Sequence, residues 1–162
     1  MGKRTIVYEK PIAIRSWATV AGRKEGRGKL AQYYDFILEH NQFGEKSWER
    51  AEQKMQQYAL ELALEKANLT ASQLDYFLGG DLLNQIIATS YTARAANIPY
   101  FGLYGACSSL AEGFILGSCL LDGGFGQRTA VCTSSHHDAA ERQLRYPTEM
   151  GVQRTLTAQW TV

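Results

Sequence analysis

Gly105-Ala-Cys-Ser-Ser-Leu-Ala-Glu-Gly-Phe-Ile-Leu-Gly-Ser-Cys-Leu-Leu121 is the stretch on which the reading of the fold turns. Glu112 is its only charge, so from about Ser108 to Leu121 it reads as a helix apolar on nearly every face. Such a helix is normally covered on every side. Gly113, Gly117 and Ser118 would let neighbouring backbone come close, despite their cost in helix propensity. Tyr100 to Tyr104 reads as a strand, which makes Gly105-Ala-Cys-Ser108 a strand-to-helix turn, and Asp122-Gly-Gly124 closes the helix.

Working outward, Thr129 to Thr133 forms one more short strand. Upstream, Ser47 to Lys66 is a helix that Ser47 can cap, with Trp48, Ala51, Met55, Tyr58, Ala59, Leu62 and Ala63 on one dry side. It ends at Asn68. Thr70-Ala-Ser-Gln73 resembles a capping box, and Leu74-Asp-Tyr-Phe-Leu78 is a buried strand stopped by Gly79 and Gly80. A second helix covers about Leu83 to Ala96 and ends at Asn97-Ile-Pro99, because the residue before proline avoids the α region. Strands thus alternate with helices, which favours a mostly parallel sheet with helices on both faces. Near the start, Thr5 to Ala21 suits one or two strands interrupted at Pro11. Gly22-Arg-Lys-Glu-Gly-Arg-Gly28 is a solvated loop whose spacing matches neither dinucleotide nor P-loop glycine patterns.

A length of 162 residues is that of one ordinary domain, and 45% hydrophobic with 20% charged residues marks a chain that folds. A net charge of +1 argues against a phosphate-backbone partner, so no nucleic acid is expected. The longest apolar run, Phe114 to Leu121, is far short of the ~20 residues that span a bilayer, and the N-terminus lacks the apolar core of a leader. A cytoplasmic chain is expected. Cys107, Cys119 and Cys132 are odd in number and lack CxxC spacing, which fits neither a disulfide framework nor a cysteine-rich zinc site.

Three strand ends carry the residues that could do chemistry. Cys107 sits where unpaired helix amides and the helix dipole favour negative charge, which makes a cysteine a better nucleophile. Cys119 and Cys132 read instead as small hydrophobes inside a buried helix and a buried strand. Gly79-Gly-Asp-Leu-Leu-Asn84 offers Asp81, as a site residue or as a helix cap. Thr133-Ser-Ser-His-His-Asp138 offers His136 or His137 as a base or ligand-orienting group, and, more weakly, a metal set with Asp138. Arg142, Arg145 and Tyr146 could supply cations to an acidic ligand, or could pair with Glu141 and Glu149. A parallel sheet brings Asp81, Cys107 and His136 to one edge, where open α/β sheets bind small molecules.

Ser47-Trp-Glu, Gly80-Asp-Leu-Leu-Asn-Gln85, Ile98-Pro, Gly105-Ala-Cys-Ser, Asp122-Gly-Gly-Phe125, Thr133-Ser-Ser-His136 and Ala140-Glu-Arg-Gln-Leu-Arg-Tyr-Pro-Thr-Glu149 resemble, nearly end to end, the stage V sporulation protein AD family of endospore-forming bacteria. The resemblance implies a thiolase-like fold of which residues 1–162 form the N-terminal half, the C-terminal half being absent. It places Cys107 at the position of the thiolase nucleophile. Ending at Trp160-Thr-Val162, the half is expected to lack its last strand, and the residues that activate the cysteine in thiolase-like enzymes belong to the other half.

The function so implied is non-catalytic binding of dipicolinic acid (pyridine-2,6-dicarboxylate), alone or as its calcium chelate, in support of its uptake into the developing spore. Its partners would be other stage V sporulation membrane proteins at the inner spore membrane. Cys107, Ser108, Asp81, Asn84 and His136 would line the site; no metal or cofactor is expected, unless calcium arrives with the ligand and bridges it to Asp81. A homodimer through the Tyr100–Tyr104 strand is expected by analogy with thiolase-fold dimers. The alternatives are an acyltransferase with Cys107 as nucleophile, for which His136 is the only internal base, and an inactive truncated fragment.

Overall fold

The computed structural model describes residues 4–144. Two short strands, β1 (Val20–Ala21) and β2 (Phe36–Ile37), pair in parallel with Val20 opposite Phe36. A second sheet holds β3 (Tyr76–Gly80), β4 (Tyr100–Gly102) and β5 (Thr129–Thr133), all parallel, in the order β4-β3-β5. Among the described residues four α-helices accompany the strands: α1 (Trp48–Ala67), α2 (Ile87–Ala96), α3 (Ser109–Asp122) and α4 (His137–Leu144). The chain is therefore α/β with parallel sheets, as its alternating pattern requires.

Local signals set most boundaries. The Ser47 hydroxyl accepts the Arg50 amide at 3.3 Å, and Asn68 turns left-handed (φ 55°) to end α1. The Thr70 amide donates to Gln73 Oε1 at 2.9 Å, closing the capping box ahead of β3. Alternation along β3 then assigns the two faces of the sheet. Phe77 packs with Leu60 of α1, Ala93 of α2 and Ile98, whereas Leu78 points the other way, towards Gly117 of α3. Helices α1 and α2 cover one face and α3 the other.

Close approach explains the glycines. A Cβ on Gly79 would stand 2.4 Å from the Cys132 carbonyl oxygen and one on Gly80 2.3 Å from that of Leu103, so both belong inside β3 and do not stop it. A Cβ on Gly113 would meet Val131 Cγ1 at 2.5 Å. What approaches α3 at Gly113 is thus a valine side chain of β5, not backbone.

Several expectations need correction. Thr5 to Thr19 form no strand; the Glu9 and Lys10 amides donate to Asp122 Oδ1 at 2.9 and 3.1 Å, and the Ser16 hydroxyl to the Ala63 carbonyl at 2.8 Å. The second helix begins late: Gln85 and Ile86 are left-handed (φ 60° and 45°), so Asn84–Ile86 is a separate tight turn before α2. The buried stripe of α1 is Ala51, Glu52, Gln56, Leu60 and Ala67, rotated from the apolar face and including two polar residues. His137 and Asp138 open a helix, α4. Helix α3 is not covered on every side, since Leu110, Phe114, Ile115 and Leu116 are exposed between 41 and 48%. Cys119 is exposed on that same face, contrary to its reading as a buried hydrophobe. The expectation of a missing last strand rests on Trp160–Val162, outside the described residues.

Candidate functional site

The strand-to-helix turn after β4 is held from both sides. The Leu103 amide donates to the Gly79 carbonyl at 2.8 Å, extending the ladder one residue beyond β4, and Leu103 is buried. Ala106 is left-handed (φ 49°), a conformation that costs a residue with a Cβ about 1–2 kcal/mol, and it sets Cys107 at the surface. Ser108 is also exposed; its hydroxyl donates back to the Gly105 carbonyl at 2.7 Å and does not cap α3. The first amides of a 14-residue helix therefore lack a side-chain acceptor. Ser109, the first residue of α3, is 1% exposed and its hydroxyl has no partner among the described residues. In the first turn, Glu112 brings Oε2 to 2.6 Å from the point that a Gly105 Cβ would occupy.

The end of β3 adjoins this turn and the end of β5 lies beyond it on the same edge of the sheet, but their polar side chains face inward. Asp81 Oδ1 accepts the Leu83 amide at 2.9 Å, and Oδ2 accepts both the amide (2.8 Å) and the hydroxyl (2.7 Å) of Thr89. The side chain is buried and holds the irregular segment that leads into α2. Asn84 is exposed, and its amide donates to Gln143 Oε1 at 2.9 Å. His136 is buried against Trp48, with ring centroids 5.7 Å apart. Its Nδ1 accepts the Ala139 amide at 3.4 Å and its Nε2 lies 2.8 Å from the Asn41 carbonyl, which fits a neutral ring donating through Nε2 and capping α4. Topology brings the three strand ends together. Side-chain bonding withdraws Asp81 and His136 from the surface that Cys107 occupies.

The remaining expectations fall out of the same geometry. Cys132 on β5 has its thiol pushed up to about 12 by burial, which leaves it a packing residue. Among the described residues no group of three His, Cys, Asp or Glu could hold a metal ion. Asp81 has both oxygens engaged, so the side chains present do not fit a bridging calcium. His137 Nδ1 pairs with Asp138 at 3.3 Å, while Arg142 Nε donates to Glu49 at 2.9 Å. Arg145, Tyr146 and Glu149 lie outside the described residues. A groove of ≈ 740 Å³ lined by Glu49, Arg50, Lys54, Tyr91 and Arg142, among others, includes none of the five expected site residues.

Beneath the strand ends lies a polar network that the sequence reading missed. Gln56 Nε2 donates to Thr89 Oγ1 (3.0 Å) and to Ser134 Oγ (3.3 Å), and the Ser134 hydroxyl donates to Glu52 Oε1 (2.8 Å). Glu52 and Gln56 are 0% and 1% exposed. Their spacing from Leu60, eight and four residues back along the helix, is the signal that could have placed them on the buried stripe.

The model of the family described as stage V sporulation protein AD matches residues 2–162. The chain belongs to this family. A curated member, stage V sporulation protein AD of Bacillus subtilis (strain 168), is 45% identical over 161 residues, covering 99% of this chain and 48% of the relative. The chain thus spans about half the length of the curated relative it matches. Two solved structures are also similar. The 3-oxoacyl-[acyl-carrier-protein] synthase III of Aquifex aeolicus VF5 is 19% identical, with a TM-score of 0.46 over 53% of this chain and 30% of that one. The priming β-ketosynthase of the R1128 polyketide pathway is 21% identical, with a TM-score of 0.46 over 56% and 30%. Among the described residues no helix is long and apolar enough to cross a membrane.

Proposed function

We propose that the chain supplies one wall of a non-catalytic site for a small aromatic dicarboxylate, dipicolinic acid being the ligand that the family resemblance implies. The observation that carries this is the exposed Cys107–Ser108 turn at the start of α3, where the helix dipole favours a carboxylate, although the Ser108 and Ser109 amides already donate to the Gly105 and Ala106 carbonyls. Cys107 and Ser108 touch the ligand, and Asn84 lies at the neighbouring strand end. Asp81 and His136 hold the walls from beneath and do not contact it. The ligand binds as the free dianion.

His136 is not free to act as a base for Cys107, because both of its nitrogens are engaged, and this supports binding over acyl transfer. In the spore-forming cell the chain works beside membrane-embedded stage V partners at the periphery of the inner spore membrane. A second copy pairs along the edge strand β4, where Phe101 is exposed. Calorimetry with dipicolinate, with and without calcium, tests the site: Cys107→Ala should weaken binding about threefold to tenfold, calcium should change nothing, and equal affinities remove Cys107 from the site.

One observation favours acyl transfer. A left-handed Ala106 presenting the next residue at the surface resembles a strained nucleophile turn. Incubation with acetyl-CoA and intact mass measurement separates the two readings, since a stable acyl adduct on Cys107 supports the enzyme.

A further inference from the structure

The network under the strand ends admits only one count of its hydrogens. Thr89 Oγ1 uses its hydrogen on Asp81, and Ser134 Oγ uses its hydrogen on Glu52 Oε1, so each must accept from Gln56. That fixes the amide with Nε2 towards both hydroxyls and consumes its two hydrogens. Among the described residues Gln56 Oε1 is then left buried as an acceptor without a donor, and Glu52 Oε2 is buried without a partner as well. The two residues stand four apart on α1, the spacing at which side chains on one helix face meet. Two bare acceptors buried one helical turn apart each cost free energy, and one proton shared between them would satisfy both.

We infer that Glu52 is a protonated positioning residue whose Oε2–H donates to Gln56 Oε1, and that this proton fixes the loops after β3 and β5 around the candidate site. Through Gln56 it orients Thr89, which holds Asp81, and through its own Oε1 it orients Ser134. Burial, the largest influence, pushes Glu52 up to about 7; the Ser134 bond opposes the rise and the charge of Asp81 adds to it. The His136 amide also faces Glu52 and favours the anion. On the same helix stands Glu49, which is paired with Arg142 of α4, and α4 also carries Asp138 and Glu141. From β5 comes the Cys132 thiol, bonded to the Gln56 carbonyl, while the single charge of α2, Arg94, is exposed. No cation on this list is aimed at Glu52 to hold it ionised. Loss of the proton would leave Gln56 Oε1 without a donor and set a second buried anion near Asp81.

The test needs no ligand, so its outcome is separate from that of the dicarboxylate reading. Thermal melts of the wild type, Glu52→Gln and Glu52→Ala are compared at about pH 5.5 and about pH 8.5. The glutamine keeps a donor for Gln56 and an acceptor for Ser134 without a proton to lose. The wild type should lose about 5 °C or more between the two pH values, and Glu52→Gln less than half of that. At the higher pH Glu52→Gln should melt at or above the wild type, with Glu52→Ala lowest throughout. Protection of the Leu83 and Thr89 amides, which bond to Asp81, against hydrogen exchange, taken relative to the intrinsic rate at each pH, should fall at high pH in the wild type only. An infrared band of a buried carboxylic acid should be present at low pH, vanish at high pH and be missing from Glu52→Gln. Absence of that band in the wild type at low pH, or Glu52→Gln melting as low as Glu52→Ala there, overturns the inference.

Discussion

The His136 imidazole lies 2.8 Å through Nε2 from the carbonyl oxygen of Asn41, a contact that ties the start of α4 to a loop 95 residues earlier. With Nδ1 accepting the Ala139 amide, the ring is a capping group packed on Trp48, and its place at a strand end reflects the need to begin α4 there.

Replacing His136 with alanine should therefore act on stability. Losing the cap, the bond to Asn41 and the contact with Trp48 should cost about 2–3 kcal/mol, read as a lower denaturation midpoint. The rate at which iodoacetamide alkylates Cys107 should stay within a factor of about two of the wild type across the pH range. A collapse of that rate at neutral pH would mean that the imidazole reaches the thiol and would restore His136 as a base.

Asp81→Asn makes a sharper case, because the isosteric amide keeps the volume and removes acceptor capacity. One of its two terminal atoms becomes a donor facing either the Leu83 amide or the Thr89 amide and hydroxyl. A buried donor-to-donor clash should cost about 2–4 kcal/mol. Addition of calcium should leave the melting temperature of the wild type unchanged. A calcium-dependent rise lost in Asp81→Asn would show that the carboxylate is a ligand.

Much of this fold is written in local chemistry. Ser47 and Asn68 bound α1, the capping box precedes β3, and Thr129–Thr133 is a strand from end to end because short-range preference and tertiary position agree there. What local chemistry cannot carry is which polar group a buried neighbour will claim. Asp81 and His136 are correctly read as strand-end residues, yet their roles depend on Thr89, Asn41 and Ala139, of which Asn41 is distant in sequence and the other two act only once the chain has turned. Gly79 and Gly80 look like strand breakers until the carbonyls of Cys132 and Leu103 are placed beside them. The exposure of Phe114 and Ile115 is likewise invisible to periodicity, which registers that a helix is apolar and not what covers it.

The glycines of β3 and α3 should rank by what each would strike. Gly79→Ala drives a Cβ to 2.4 Å from a backbone oxygen that β-sheet pairing holds in place, and should cost about 3 kcal/mol or more, enough to prevent folding of a marginal chain. Gly113→Ala meets a Val131 methyl at 2.5 Å, which can give by shifting the helix, and the better helix propensity of alanine offsets part of the strain. About 1–2 kcal/mol is expected there. Gly22→Ala, whose nearest neighbour is an Asn41 oxygen 4.0 Å away, should change the midpoint by less than about 0.5 kcal/mol. Chemical denaturation of the three variants checks the order; a Gly113 effect equal to that of Gly79 would mean that α3 cannot move relative to β5.

Glu112 decides how well the start of α3 can receive an anion. It is the only charged side chain of the helix apart from Asp122 at its far end, and it leans towards Gly105 over the same first turn that would face a ligand carboxylate. A fixed negative charge there stabilises the helix dipole by a few tenths of a kcal/mol and opposes a second anion at close range. Glu112→Gln should thus lower the melting temperature slightly and tighten binding of a dicarboxylate about threefold to tenfold at low ionic strength. The gain should shrink as salt is added, because the repulsion it removes is screened, whereas a gain from a new hydrogen bond would survive. Titrating dipicolinate into both forms at two salt concentrations separates these cases. An unchanged affinity at low salt would mean that the ligand carboxylate does not approach the α3 terminus, and would move the site away from Cys107.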